Sequence, residues 1–177
     1  PKPHFPISTP GCAPDLMRQS QREGQVNTAR ASIVWIDTSG ARVDVDFPSA
    51  PAHAFAKVEV SADFRSSGEP ISGLVMIDTA LTHSALDTAA LHAIGAQQAG
   101  ISQMNAHGGV REARTFKVMF RFPISPTFVI PTTVAENTTP VGPEGVIGLI
   151  GMDVLRHCRL VLDGISGSCT LSIPTPG

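Results

Sequence analysis

An apolar run that stops at a carboxylate constrains this chain more than any other feature. Residues 74–77 read Leu-Val-Met-Ile, and Asp78 and Thr79 follow them. Four consecutive apolar residues predict a strand that is covered on both faces. Asp78 would then lie where the core meets a cleft, which is costly for a carboxylate without hydrogen-bond partners and is typical of catalytic carboxylates. The alternative is a buried Asp that only caps the turn or helix that follows.

A second apolar run lies farther along the chain. Residues 146–150 read Val-Ile-Gly-Leu-Ile, and Gly151 separates them from the segment 152–157, which predicts a short helix. Asp153 would lie near the N-terminus of that helix, where a negative charge is favoured. A lone Asp-Thr pair is a weak signal, and its meaning depends on this second motif.

Together, the two stretches resemble the retropepsin-like aspartic proteases. That family has an apolar strand ending in Asp-Thr-Gly-Ala-Thr-His-Ser or a close variant, and later two apolar residues, a glycine, any residue and Asp before a short helix. Here residues 78–84 read Asp-Thr-Ala-Leu-Thr-His-Ser, and residues 149–153 read Leu-Ile-Gly-Met-Asp. The resemblance covers about residues 55–173. It implies a mainly β half-barrel with two short helices, to which this chain adds an N-terminal arm and a β-hairpin.

The resemblance also implies a site and a partner. One Asp-Thr motif is half of an aspartic protease site, so it implies a homodimer in which Asp78 of each protomer helps to activate a water for hydrolysis of a protein or peptide substrate. Two carboxylates at such a short distance from each other cannot both be ionised, so they share one proton. Thr79 would hydrogen-bond across the two-fold axis, with Ala80 and Thr82 supporting the same loop. Residues 108–109, both glycine, would lie over the substrate as part of a flap.

Two residues depart from the family pattern. Ala80 and Leu81 stand where the family has glycine and alanine. In the family that glycine lies against the substrate backbone, so the methyl of Ala80 takes up space there, and alanine disfavours a positive φ. An active enzyme with a narrowed cleft and a catalytically impaired module that binds or assembles are both compatible with these residues.

The rest of the chain reads as one β domain at residues 31–177 preceded by an arm at residues 1–30. The arm contains seven of the prolines and glycines and shows no sustained hydrophobic period. Residues 32–47 predict a hairpin whose turn is Asp37-Thr38-Ser39-Gly40. That turn resembles the Asp78 motif, but no counterpart of the Gly151 motif follows it, and Asp-x-x-Gly between strands is ordinary turn chemistry.

Several other segments carry local predictions. Residues 84–87 resemble a capping box, followed by a helix of about three turns that ends at Gly95. Residues 100–111 predict a hairpin with a glycine tip, which is either the flap or a plain turn. Residues 114–122 predict a strand with Phe116, Val118, Phe120 and Phe122 on one face. Pro131 argues for an edge or a bend in the next extended segment, and residues 159–173 predict a closing hairpin.

Composition argues against several other functions. The net charge is −2 and tyrosine is absent, which does not favour nucleic-acid binding. No apolar run reaches the eighteen residues that predict a transmembrane helix. The three cysteines form no C-x-x-C pair and leave room for one disulfide, and the six histidines share no metal-ligand spacing. No metal and no cofactor are therefore expected, and His83 is expected to have a structural role.

Overall fold

The computed structural model describes residues 27–43, 52–62, 68–106, 109–139, 141–163 and 168–175, and most of them are in β-strands. The strands are β1 (Thr28–Ala31), β2 (Ile33–Asp37), β3 (Arg42–Val43), β4 (Ala52–Ala62), β5 (Ile71–Ile77), β6 (Ala85–Asp87), β7 (Gln98–Ala106), β8 (Gly109–Phe122), β9 (Ser125–Asn137), β10 (Val146–Ile150), β11 (Arg159–Asp163) and β12 (Ser168–Pro174). The helices are α1 (Thr88–Ala93) and α2 (Met152–Leu155).

Nine of these strands form one sheet that closes on itself. Their order is β3-β2-β4-β5-β10-β6-β9-β8-β7, and β4 also pairs with β8. The first half of β4 pairs with β2 and its last residues, 59–62, pair with β8. This second pairing closes β4, β5, β10, β6, β9 and β8 into a ring around the core, and it leaves the β2–β3 hairpin outside.

The core lies inside this ring and is built by alternating side chains. On β8, the predicted row of Phe116, Val118, Phe120 and Phe122 is buried, which confirms the face assigned to that strand. On β4, residues 56, 58, 60 and 62 enter the same cluster. Burying each phenylalanine stabilises the fold by about 1.5–3 kcal/mol, so β8 contributes strongly to the core.

A smaller apolar cluster packs the extra hairpin onto the outer face of β4 and β5. It contains buried Ile36, Phe55 and Val146, with Leu74 and Met76 packed against them. The hairpin prediction is confirmed for the described strands β2 and β3, which pair antiparallel around the turn at residues 38–41.

The segment after residues 78–84, which we call the Asp78 loop, differs from the structure predicted for it. Residues 85–87 form β6, which pairs with β10 and β9, and the helix that follows has only the six residues of α1. No side chain caps α1, so the predicted capping box and three-turn helix are wrong. Strand pairing over residues 85–87 overrides the local helical pattern. Gly95 does follow the helix, with φ +64°.

The first described strand and the last two form a separate three-stranded sheet with the order β1-β12-β11. The closing hairpin of β11 and β12 is confirmed. Residues 1–26 of the arm lie outside the described residues, and β1 begins at Thr28. The boundary at residue 30 therefore stays a prediction.

Pro131 lies in the part of β9 that pairs with β8. The pairing of β9 with β6 is limited to residues 135–137 of β9. Neither described helix has the length and apolar character needed to cross a membrane.

Candidate active site

Strand register brings the two sequence motifs together. β5 and β10 are parallel, with Ile77 beside Ile150, and the Asp78 N–H donates to the Ile150 carbonyl oxygen at 3.0 Å. The Asp78 loop and Gly151 therefore leave the sheet side by side. Asp78 is half-buried, which fits a carboxylate at the boundary between core and cleft.

The Asp78 loop is a tight turn held by the aspartate itself. The Ala80 N–H donates to Asp78 Oδ1 at 2.9 Å, and the Leu81 N–H donates to the Asp78 carbonyl oxygen at 3.3 Å. Among the described residues every positive φ belongs to a glycine, so Ala80 has a backbone conformation open to any residue. Alanine in place of glycine thus causes no backbone strain here. Thr79, Ala80 and Thr82 are exposed, and their predicted supporting roles stay predictions.

Helix α2 fixes the second half of the loop through its backbone. The Met152 N–H donates to the Leu81 carbonyl oxygen at 2.8 Å, and the Asp153 N–H donates to the Thr82 carbonyl oxygen at 3.2 Å. Gly151 makes this approach possible, because a Cβ at that residue would lie 2.5 Å from the Leu81 oxygen. The glycine of the second motif is therefore required by close packing against the first.

Gly151→Ala is expected to lower the free energy of unfolding by about 1–3 kcal/mol, because its methyl must push the Leu81 carbonyl away. Urea denaturation measures the change. Gly100→Ala is the matched control, since its Cβ would meet nothing closer than Thr115 Oγ1 at 3.5 Å. Equal stabilities of the two variants would contradict the close approach.

The carboxylate of Asp153 ties three separate segments together. Its Oδ1 accepts hydrogen bonds from the Ser84 N–H at 2.9 Å and the Ser84 hydroxyl at 2.7 Å. Its Oδ2 accepts from the Thr132 hydroxyl at 2.8 Å. The Ser84 Oγ in turn accepts from the Gly151 N–H at 3.0 Å, and Ser84 is fully buried. We refer to Ser84, Thr132 and Asp153 as the support network.

Sequence reasoning missed this network. The pattern at Ser84 indicated a helix cap, and the position of Asp153 indicated only a favourable helix-dipole interaction. The paired occurrence of the two motifs was the available signal, because each supplies one side of the Ser84–Asp153 contact. Nothing in the sequence pointed to Thr132, which lies on a different strand.

A groove of about 620 Å³ runs beside the loop. Leu81, Ala85 and Leu149 line one side of it, and Met104 and Arg111 of the β7–β8 hairpin line the other. The interval predicted to hold a flap is therefore a hairpin that borders a groove, and Leu81, three residues after Asp78, borders the same groove. Gly109 begins β8 with φ +119° and open space around it, while Gly108 lies outside the described residues.

The same groove, which we call the flap groove, is also lined by an ion pair. Arg114 donates to Glu136 from Nε at 2.6 Å and from Nη2 at 2.5 Å, and the Glu136 side chain is only 4% exposed. The hydrogen bond from Arg114 is the main reason that the pKa of Glu136 lies below its usual value. The bidentate geometry fixes the groove wall formed by β8 and β9.

Two of the other cavities lie near the ends of β5 and β10. One of about 510 Å³ lies between the β2–β3 turn, the outer face of β4 and β5, and residues 141–143; we call it the hairpin cavity. The other, of about 450 Å³, is lined by Thr79 and by residues of α2 and β11, and we call it the edge groove. No group of three or more His, Cys, Asp or Glu side chains in the described part of the chain could hold a metal. Cys158 and Cys169 are free thiols.

Comparison with solved structures identifies the fold. The structure matches a crystal structure of a retropepsin-like aspartic protease from Rickettsia conorii with a TM-score of 0.52 at 11% sequence identity, covering 88% of this chain and 100% of that one. The chain has the retropepsin-like fold. The mainly β prediction is thereby confirmed, and within this retropepsin-like fold Asp78 directly follows β5, while Leu81 of the same loop lines the flap groove. No protein-family model and no curated protein matches the sequence.

Proposed function

We propose that the protein is an aspartic endopeptidase that acts as a homodimer, with one Asp78 from each protomer. The observation that carries the proposal is a half-buried Asp78 in a hydrogen-bonded turn of a retropepsin-like fold, where Leu81 of the same loop lines a groove bordered by a hairpin. The neighbouring solved structure is described as an aspartic protease, which supports the same kind of reaction. Asp78→Asn, argued in the Discussion, is the experiment that tests it.

The chemistry follows from pairing two such carboxylates. The two Asp78 side chains hold one proton between them, so one is a base and the other an acid. The base takes a proton from a water as its oxygen attacks the peptide carbonyl carbon, and the acid gives its proton to the carbonyl oxygen. The Asp78 that took the proton from water then gives it to the amide nitrogen, and the other Asp78 takes a proton from a hydroxyl of the gem-diol intermediate as the C–N bond breaks. This releases an acid and an amine and leaves one proton on the pair, as at the start. The Ala80 N–H on Asp78 Oδ1 orients the carboxylate throughout.

The edge groove is the surface that we assign to the second copy of the chain. It contains Thr79, next to Asp78, and two strongly exposed apolar side chains, Met152 (43% exposed) and Leu162 (57% exposed). Leu162 lies on β11, which is at the edge of the three-stranded sheet and pairs there with β12. An apolar edge strand is a ready template for pairing with another chain. Pairing at this edge would bring the two Asp78 loops toward the same two-fold axis.

Leu162→Arg is expected to raise the dimer dissociation constant by at least about a hundredfold and to remove cleavage together with the dimer. The arginine would bury an unpaired charge at the interface, whereas in the monomer it remains in water. Light scattering after size-exclusion chromatography measures the mass, and a peptide-cleavage assay measures activity. Ile124→Arg is the matched control, because Ile124 is 49% exposed but lies in the β8–β9 turn. If the Leu162→Arg protein were active and dimeric, the dimer interface would not include the edge groove.

The second candidate is a module of the same fold that binds or assembles without cleaving. It is favoured by Leu81, which adds bulk to the flap groove, and by the exposed methyl of Ala80 in the adjacent turn. The unstrained backbone of Ala80 instead favours the enzyme, because the turn that orients Asp78 forms without glycine. Under the second candidate the wild-type protein would not cleave, and Ala80→Gly combined with Leu81→Ala would restore cleavage.

A further inference from the structure

The hairpin cavity lies at the same end of the sheet as Asp78. In the observed register Val34 of β2 is beside Phe55 of β4, and Phe55 is beside Met76 of β5. Because β2 and β5 are both antiparallel to β4, they run in the same direction, so Asp37 leaves β2 at the end where Asp78 leaves β5. Two strand spacings, roughly 10 Å, separate β2 from β5.

The cavity has an apolar floor. Ile36, Phe55 and Met76 line it from three adjacent strands, and the first two are more than 90% buried. Met76 is the last residue but one of β5 and precedes Asp78 by two residues, so the floor extends almost to the point where the chain leaves the sheet at Asp78. A substrate side chain held on this floor would therefore belong to a peptide that reaches Asp78.

A fixed carboxylate stands at the rim of this floor. Asp37 Oδ1 accepts hydrogen bonds from the Ser39 N–H at 2.8 Å, the Ser39 hydroxyl at 2.7 Å and the Ala41 N–H at 3.0 Å. The Ser39 hydroxyl is the main cause that lowers the pKa of Asp37 below its usual value, so the group is ionised at neutral pH. The described residues that line the cavity include no lysine or arginine, and His53 is the other titratable side chain there.

An apolar floor that ends at a fixed carboxylate suits a long basic side chain. The methylene stem of lysine or arginine packs on apolar surface while its charged head stays at the polar rim, and a hydrogen bond between ions is about twice as strong as a neutral one. We propose that Asp37 is a specificity-determining residue that makes the protein prefer peptides with a lysine or arginine side chain in the hairpin cavity. This inference rests on the proposed endopeptidase function, but Asp37 lies outside the segment that resembles the family, about residues 55–173.

Cleavage of a randomised peptide library by the wild-type protein and by Asp37→Asn tests this inference. Asparagine keeps an oxygen that can accept the turn hydrogen bonds, so the variant changes the charge and leaves the turn in place. Mass spectrometry of the products is expected to show lysine and arginine enriched at one fixed distance from the cut bond for the wild type. The enrichment should fall by about tenfold in Asp37→Asn, and Asp37→Lys should select aspartate or glutamate at that position.

Ser39→Ala distinguishes the charge of Asp37 from the hydrogen bonds that its carboxylate accepts within the turn. Ser39→Ala removes one donor to the carboxylate but keeps the charge, so it should retain the preference for basic residues. Cleavage without a basic preference, or an unchanged preference in Asp37→Asn, would overturn the assignment of Asp37 and leave the endopeptidase proposal standing. A library that the wild-type dimer does not cut at all would overturn the endopeptidase proposal, and the assignment of Asp37 with it.

Discussion

Asp78→Asn is expected to reduce peptide cleavage by a factor of about 10²–10⁴ while the protein remains folded and dimeric. An amide cannot take a proton from water or hold the proton that two carboxylates share, and losing general acid–base catalysis has an effect of this size. Asparagine can still accept the Ala80 N–H, now at 2.9 Å from Asp78 Oδ1, so the turn persists. The free energy of unfolding should therefore change by less than about 1 kcal/mol.

The measurement compares initial cleavage rates with unfolding in urea for the same preparations. Glu69→Gln is the matched control, because it makes the same carboxylate-to-amide change at an exposed position. Its cleavage rate and stability should equal those of the wild type. If Asp78→Asn cleaved at the wild-type rate, Asp78 would have no part in the reaction. If the wild type did not cleave, the module that only binds or assembles would become the better hypothesis.

The parts of the fold that could be predicted are those in which a long segment has one consistent period. The apolar run before Asp78 is a strand, and the alternation through Phe116 and Phe120 assigns the buried face of β8. In both segments tertiary packing and local pattern favour the same structure. Within segment 84–95 a helix does form before Gly95, but its start and its length were predicted incorrectly because residues 85–87 pair with two distant strands, β10 and β9.

The candidate site, too, contains some residues that the sequence could predict and some contacts that it could not. Asp78 and Gly151 could be found from their motifs, because each motif is a contiguous set of residues. The link from Ser84 to Asp153 spans 69 residues, and only the folded register reveals it. The hairpin cavity depends on β2, β4 and β5 lying side by side, so the pattern around Asp37 indicated an ordinary turn and nothing about a nearby ligand.

Asp153→Ala should cost about 3 kcal/mol of unfolding free energy, a large effect for one side chain outside the core. The substitution removes the acceptor for Ser84 and Thr132, and Ser84 is fully buried, so its N–H and its hydroxyl lose the partner that they have inside the protein. Each buried donor left without an acceptor costs about 1–3 kcal/mol. Because α2 holds the Leu81 and Thr82 carbonyls, the Asp78 loop should loosen as well.

Asp153→Asn tests the hydrogen bonds of the support network without the negative charge of Asp153. The Asn oxygen can accept both hydrogen bonds from Ser84, and the Thr132 hydroxyl can rotate to accept from the amide nitrogen. We therefore expect Asp153→Asn to lower the free energy of unfolding, measured by urea denaturation, by less than half as much as Asp153→Ala. A double-mutant cycle with Ser84→Ala should give a coupling energy of about 1 kcal/mol or more. If the alanine and asparagine variants were equally stable, the support network would not hold the loop, and the precise placement of Asp78 would need another cause.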